Sequence, residues 1–351
     1  MAEERLQAKS VQEIAKSCCK DNKIPDNFIH KNGYSQSKVD SVPYMDDFVI
    51  DFSLLSSSSS AEADHELGKL HLALNQWGCF QAINHGMTSA FLDKVREISK
   101  QFFALPSEEK QRYSREVNDW DGYGNDTVVS EQQTLDWTDR LYLTLQPEDQ
   151  RKLKYWPEKP LVFREVIHEY TLKLREMFEF LLKAMARSLK LEENCFLKEN
   201  GDLVIMAGRF NFYPPCPEPE SVLGVKPHAD GTTVTMLLQD KEVEGLQVLK
   251  DDQWFRVPIV PDALFINVGD LLEIMSNGIL KSPVHRVVTN SERDRISVAV
   301  FCYSDPDREV GPISELITDD RPQMYKRVNH YENIFFENYQ LGKRPLHAVR
   351  L

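Results

Sequence analysis

The sequence predicts an α+β chain: a helix-rich first half followed by an antiparallel β-sandwich or jelly roll. Two patterns carry this reading. Between about Leu161 and Leu189, Tyr170, Leu174, Met177, Leu181 and Met185 recur at three- and four-residue steps, the single apolar stripe of a long helix lying on a sheet. From about Val204 to Tyr303 the chain changes to short apolar segments broken by Gly, Pro, Asn and Asp. These read as strands at Ala207–Tyr213, Thr233–Gln239, Gly245–Leu249, Trp254–Val257, Ala263–Val268, Val284–Val288 and Arg295–Tyr303.

In chain order, residues 1–47 form a polar N-terminal extension with one short amphipathic helix near Val11–Ser17. Phe48–Phe52 reads as a strand and Ser56–Ser60 as a flexible surface loop. A helix follows over about Ala63–Gln76, then the apolar strand Cys79–Ile83 and the turn Asn84-His85-Gly86. The next helix runs from about Ser89 to Phe103 and stops before Pro106. Asp119–Asp139, rich in Gly, Asp and Trp, reads as a long loop of the kind that covers or walls a pocket. On the long helix, Glu169/Lys173 and Glu179/Lys183 are i,i+4 pairs in the favourable order. The tail from about Met324 to Leu351 returns to helix and an exposed end, and no internal repeat is visible. The chain thus divides into 1–47, 48–160, 161–304 and 305–351.

A chain of 351 residues buries a sizeable core. Its net charge of −13 argues against nucleic acid or an anionic membrane as partner, since both need a basic face. A small-molecule partner and a monomeric state are expected instead. No apolar leader follows the opening MAEERLQAKS, and no apolar run reaches membrane-spanning length. Cys18, Cys19, Cys79, Cys195, Cys216 and Cys302 have no C-x-x-C spacing. They read as free thiols of a reducing compartment, so the expected location is cytoplasmic.

Two histidines and one carboxylate stand out, in His228-Ala229-Asp230 and His285. Side chains two apart on an extended segment share a face, so His228 and Asp230 aim at one point, and His285 lies in a later strand that can oppose them. Two imidazoles and a carboxylate on one face of a metal leave positions open for a co-substrate and oxygen, which suits non-haem iron(II); on ligand type alone zinc fits too. Ten residues beyond His285 comes Arg295-Ile296-Ser297. Arg295, Ser297, Ala299, Phe301 and Tyr303 share one strand face, and Ile296, Val298, Val300 and Cys302 share the other, apolar one. A buried guanidinium needs an anion, either a protein carboxylate from elsewhere or a bound small-molecule carboxylate. Arg209, Asn211 and Tyr213 share a face of the strand that the prolines after Tyr213 end, and the Tyr213 hydroxyl is a further donor for such a carboxylate.

Together these segments resemble the plant 2-oxoglutarate/iron(II)-dependent dioxygenase superfamily. The iron motif H-x-D with a distant His is His228, Asp230 and His285, and the R-x-S motif is Arg295-Ile296-Ser297. N-Y-Y-P-x-C-P appears as Asn211-Phe212-Tyr213-Pro214-Pro215-Cys216-Pro217. W-G-F-F-Q-x-x-N-H-G appears as Trp77 to Gly86, with Cys79 for the first Phe, and D-x-L-E-I-x-S-N-G as Asp270 to Gly278. The likeness runs over nearly the whole chain from about Val49.

The resemblance implies a distorted double-stranded β-helix, or jelly roll, framed by α-helices, with a dioxygenase N-terminal region at 48–160 and the catalytic core at 161–304. It implies Fe(II) held by His228, Asp230 and His285, with 2-oxoglutarate and O2 as co-substrates and ascorbate as reductant. The distal carboxylate of 2-oxoglutarate would be held by Arg295 and Ser297, assisted by Tyr213 and Asn211, while His85 belongs to a structural turn. Oxidation of a substrate C–H bond would release succinate and CO2, and oxidation of an O-methyl carbon would end in demethylation.

Phe301 and Tyr303 continue the inward face past the anion site, and Tyr123, Trp137 and Tyr142 come from the loop region expected to wall the substrate cavity. Flavonoid-oxidising relatives often carry an acidic residue at the position of Tyr303, which points away from a flavonoid here. The expected substrate is a small ring-containing specialised metabolite: an alkaloid, phenolic or terpenoid. An ascorbate-using iron oxidase on the same scaffold and a non-catalytic binding protein are the alternatives.

Overall fold

The computed structural model describes residues 10–21, 23–30, 41–56, 60–117, 119–125, 133–340 and 343–351. Ser57–Ser59 of the serine run and residues 126–132 of the Gly/Asp/Trp-rich segment lie outside them.

Helix α1 (Val11–Asp21) is longer than its apolar pattern suggests, and a residue far along the chain starts it. The Asp139 carboxylate accepts the Val11 and Gln12 backbone N–H groups at 2.8 and 2.9 Å, satisfying two donors that a helix cannot satisfy itself. Asp139→Ala leaves both donors without an acceptor. It is expected to cost about 3 kcal/mol and to speed trypsin cleavage within α1, measured by urea melts and limited proteolysis. Burial outweighs these donors and nearby Lys110 and pushes the Asp139 carboxyl up to about 6. That lies above its unfolded value near ~4. The stability Asp139 contributes is therefore fully present below about pH 4 and is lost as pH rises through 6. Asp139→Asn is expected to flatten stability over that window in urea melts taken across it.

Strand β1 (Val49–Asp51) is shorter than the strand expected over Phe48–Phe52. The Asp51 side chain accepts the Ser53 N–H and starts α2 (Phe52–Leu55). Helices α3 (Ala61–Gln76) and α4 (Ser89–Ala104) open on Ser60 and Thr88 caps and flank β2 (Cys79–Ile83). A short α5 (Ser107–Gln111) follows. Strands β3 (Gly122–Gly124) and β4 (Asp139–Gln146) emerge where the sequence reading has only a loop and its continuation. The signal for β4 was present, since Leu141, Leu143 and Leu145 alternate with Arg140, Tyr142 and Thr144.

The long helix is α6 (Phe163–Ser188), and its stripe of Tyr170, Leu174, Met177, Leu181 and Met185 is buried as expected. Lys173 pairs with Glu169 at 3.7 Å. Glu179 instead pairs with Arg175, four residues before it, at 3.5 Å; the expected Lys183 loses to an equally placed competitor, and exposed pairs of this kind decide little.

After α7 (Cys195–Asn200) come β5 (Ile205–Tyr213), β6 (Leu223–His228), β7 (Val234–Leu238), β8 (Leu246–Lys250), β9 (Gln253–Arg256) and β10 (Leu264–Val268). Then follow α8 (Asp270–Met275), β11 (His285–Val288), β12 (Arg295–Tyr303) and α9 (Tyr331–Gln340). The sequence reading has no strand at β6, a segment that carries Gly224 and Pro227, residues that weaken a strand. β6 is an edge strand, where a proline costs no ladder bond, and pairing with β11 supplies what propensity lacks. The expected exposed end holds at Leu351, which is 67 % exposed, but part of the turn before it is not. Pro345, Leu346 and Val349 are buried in a final 3₁₀ turn, tied by Lys326 N–H to Val349 O at 2.9 Å.

These strands form an eight-stranded sheet, ordered β1-β2-β10-β7-β12-β5-β4-β3, and a four-stranded sheet, ordered β6-β11-β8-β9. One face of the large sheet packs on α3, α4 and α6 through Leu70, Phe102, Phe178, Phe210, Val298 and Val300. The other faces the small sheet, where Phe265, Leu237 and Ala299 meet Val225, Leu246 and Val287. Two sheets closed face to face make the jelly-roll core within a helical frame. Each strand of the large sheet therefore presents one row to the helices and the other to the cavity between the sheets.

Candidate active site

Residue alternation on β12 sets the chemistry of the cavity. Arg295, Ser297, Ala299 and Phe301 line it, while Ile296, Val298, Val300 and Cys302 lie in the helix-side core. Pairing carries this split sideways: Arg295, Ser297 and Ala299 stand opposite Tyr213, Asn211 and Arg209 of β5. Asn211 and Arg209 in turn stand opposite Arg140 and Tyr142 of β4, so all these share the cavity side.

His228, at the end of β6, and His285, at the start of β11, are cross-strand partners with ring centroids 4.3 Å apart. Asp230 follows in the extended exit of β6, with its backbone carbonyl accepting the Asp270 N–H of α8 at 2.8 Å. Asp230 Oδ1 lies 3.6 Å from His228 Nε2 and 3.7 Å from His285 Nε2. Those gaps are too long for hydrogen bonds and suit three ligands around one ion. The ligand atoms of all three residues lie within 4.8 Å of one another. Each ring's other nitrogen is engaged: His228 Nδ1 donates to Lys226 O at 2.8 Å and His285 Nδ1 to Pro283 O at 3.3 Å. That selects the tautomer whose Nε2 lone pair faces Asp230. Burial, and then the His285 ring, push His228 well below the usual imidazole range, so it stands neutral, the form that ligates metal. Asp230 Oδ2 is buried with no hydrogen-bond partner among the described residues, as a ligand oxygen would be.

The anion position is equally open. Arg295 is 3 % exposed; its Nε donates to Val243 O at 3.2 Å, while Nη1 and Nη2 make no hydrogen bond among the described residues. The guanidinium lies 5.2 Å from the centre of the Tyr213 ring. Asn211 Nδ2 donates to Ser297 Oγ at 3.3 Å, which leaves the Ser297 proton free to point into the cavity. Gly245 makes room for the arginine, because a Cβ there would sit 3.0 Å from Arg295 Cδ.

The expected substrate residues separate into two groups. Phe301 lines the cavity, Tyr142 stacks on it at 6.3 Å and 21°, and Tyr303 lies 6.4 Å beyond. The Tyr142 and Tyr303 hydroxyls are hydrogen-bonded, and burial together with that contact pushes the Tyr303 phenol well above its ordinary range. Tyr123 and Trp137 do not reach the cavity. Tyr123 stands opposite Leu141 and so faces the helix side, against Phe102 and Phe103. Trp137 packs edge-on against Phe28 at 5.2 Å and donates its indole N–H to Pro214 O at 3.0 Å. His85 Nε2 lies 2.9 Å from Asp262 O, holding the turn after β2 as expected.

The sequence reading missed two contributors. Arg209 lines the cavity, although it was noted only as sharing a face with Asn211. α9 brings Phe335 against Gly231, where a Cβ would sit 2.5 Å from the ring, and sets Tyr339 edge-on to His228 at 5.8 Å. The aromatic i,i+4 pair on α9 was the available signal, but nothing in the sequence says what it covers.

A jelly roll whose cavity joins two imidazoles, one carboxylate and a guanidinium with two open N–H arms has the donor set for a non-haem metal and an anionic co-substrate. Comparison with known proteins agrees. Residues 192–304 match the 2OG-Fe(II) oxygenase superfamily, and residues 49–159 match the non-haem dioxygenase in morphine synthesis N-terminal family. The chain is 39% identical to codeine O-demethylase of Papaver somniferum, over 99% of this chain and 97% of that one. It is 38% identical to oxoglutarate-dependent flavonoid 7-O-demethylase 1 of Ocimum basilicum, over 99% and 92%. The crystal structure of JOX2 in complex with 2OG, Fe, and JA superposes with a TM-score of 0.86 at 30% identity, covering 98% of each chain. The chain belongs to the 2OG-Fe(II) oxygenase superfamily. It is an oxidoreductase that uses Fe(II) and 2-oxoglutarate.

Proposed function

We propose that His228, Asp230 and His285 hold the iron, that Arg295 and Ser297 hold the distal carboxylate of 2-oxoglutarate with Tyr213 assisting, and that the substrate is a small ring-containing plant specialised metabolite. An alkaloid, phenolic or terpenoid fits, oxidised by hydroxylation or O-demethylation. The observation that carries this reading is the buried Arg295 fork, unsatisfied and on the same cavity as the three converging ligand atoms. The names of the two demethylases above support the demethylation branch.

When bound, the iron with 2-oxoglutarate and O2 supplies the oxidising power and releases succinate and CO2. The protein's own residues bind, orient and exclude water. Each imidazole turns Nε2 toward Asp230 because its Nδ1 is held by a backbone carbonyl, Lys226 O for His228 and Pro283 O for His285. Arg295 offers two parallel N–H groups to a carboxylate, and Asn211 holds the Ser297 hydroxyl beside them. Phe301 gives the cavity an aromatic wall for a ring, backed by Tyr142 stacked on it and Tyr303 tilted beside it, and Tyr339 of α9 stands edge-on to His228. Phe301→Ala is expected to raise the substrate KM about tenfold, the loss of roughly 1–2 kcal/mol of aromatic contact, with the 2-oxoglutarate KM little changed.

In this reading the enzyme is a cytosolic monomer with ascorbate keeping the iron reduced. The buried free thiols Cys79, Cys216 and Cys302 suit a reducing compartment. No helix among the described residues is long and apolar enough to cross a membrane. The test is incubation of the iron-loaded enzyme with plant metabolite fractions, following succinate and product mass together. Succinate in step with a gain of one oxygen, or with a lost methylene and formaldehyde, is expected. Product formed without succinate would remove 2-oxoglutarate from the reaction and sink the reading.

A further inference from the structure

Beneath the metal ligands lies a buried charge cluster that the chemistry above does not use. Asp270 and Glu273, on α8, are buried and one turn apart. Arg344, from the C-terminal segment, places Nη2 3.1 Å from Asp270 Oδ1, 3.9 Å from Glu273 Oε2 and 2.8 Å from Ser282 O. Tyr331, the first residue of α9, donates to Asp270 Oδ2 at 2.8 Å, and Tyr325 donates to Glu273 Oε1 at 2.8 Å.

Both ligand-bearing segments hang on this cluster through the main chain. The Asp270 N–H holds the Asp230 carbonyl at 2.8 Å. Glu273 Oε2 accepts the Ser282 N–H at 2.6 Å, one residue before the Pro283 carbonyl that orients His285 Nδ1. The same cluster anchors the start of α9, whose Phe335 and Tyr339 rest on Gly231 and His228.

We propose that Arg344 is a positioning residue for the metal centre: by bridging Asp270 and Glu273 and offsetting their charge it locks α8 and Ser282, and through them sets the separation of Asp230 from His285. Two buried carboxylates one helical turn apart repel each other and resist burial. Removing the one cation that the described residues bring to them leaves uncompensated charge, which shifts α8 or draws in water. The main-chain bonds to Asp230 and Ser282 then loosen before the fold is lost. Outer partners of metal ligands typically govern affinity 10–100-fold.

This inference rests on the metal assignment above, and one experiment separates the two. Anaerobic Co(II) titrations, read by visible absorption, would compare the full-length parent with Arg344→Met, Arg344→Lys and Tyr331→Phe. Arg187→Met, whose guanidinium among the described residues donates to Leu55 O on the helical side, controls for general destabilisation. Arg344→Met is expected to weaken Co(II) binding about tenfold or more and to alter the Co(II) band shape. Arg344→Lys should largely restore both, and Arg187→Met should change neither. Tyr331→Phe, which deletes a single hydroxyl, gives a smaller change in the same direction and keeps the test decisive if Arg344→Met does not fold. Parent-like Co(II) affinity and spectrum in Arg344→Met or Tyr331→Phe would overturn the inference alone; a parent that binds no Co(II) would overturn the metal assignment itself.

Discussion

Asp230→Ala is expected to weaken metal binding by more than about 100-fold and abolish turnover, yet leave the metal-free protein at least as stable as the parent. The first effect follows from deleting one of the three proposed ligands, where loss of even an outer partner costs about 10–100-fold. The second follows from electrostatics. Asp230 Oδ2 has no hydrogen-bond partner among the described residues, and Oδ1 lies 3.6 and 3.7 Å from the imidazoles. A carboxylate held this way destabilises a metal-free fold, and alanine relieves that cost. The structural link survives, because the Asp270 N–H bonds the main chain of residue 230 and not its side chain. Metal titration and thermal melts with and without chelator measure both effects. Parent-like affinity in the variant would remove Asp230 from the site.

Arg295→Met is expected to raise the KM for 2-oxoglutarate about 100-fold, with a smaller change in kcat. Two charge-assisted hydrogen bonds to one carboxylate are lost, and a net ~3 kcal/mol corresponds to that factor. Methionine keeps most of the volume between Val243, Gly245 and the Tyr213 ring, so folding is not the cause of the loss. Gly245→Ala tests the same contact from the other side. Its Cβ would press on Arg295 Cδ at 3.0 Å and Nε at 3.1 Å and should raise the same KM by a smaller factor. Initial-rate measurements at saturating substrate, varying 2-oxoglutarate, separate the two constants. An unchanged KM in Arg295→Met would mean that the anion sits elsewhere.

Much of this site was legible in the chain itself. On β12 the alternation of Arg295, Ser297 and Phe301 with Ile296, Val298 and Val300 states which row meets the cavity, and the structure keeps that row there. The same period-two argument brings His228 and Asp230 to one point at the end of β6, although β6 itself, with Gly224 and Pro227 in or beside its apolar run, is not among the expected strands. Where the argument lacked a register it failed. Tyr123 and Tyr142 come from adjacent strands, and only the pairing Tyr123↔Leu141 shows that they face opposite ways. Trp137 stands just before β4, outside the alternation, and the N-terminal segment claims it through Phe28.

From its sequence alone the chain declares its helical frame and short-strand core, the two histidines and aspartate that converge, and its inward guanidinium, because these depend on residue type and on periods of 2 and 3.6 within single elements. Tertiary structure alone decided that α9 covers His228, that Asp139 starts α1, and that Arg344 meets Asp270 and Glu273. Those contacts join segments tens to more than a hundred residues apart. No local period encodes them; they arise when two sheets close on each other and the chain's ends are left to cover what remains open.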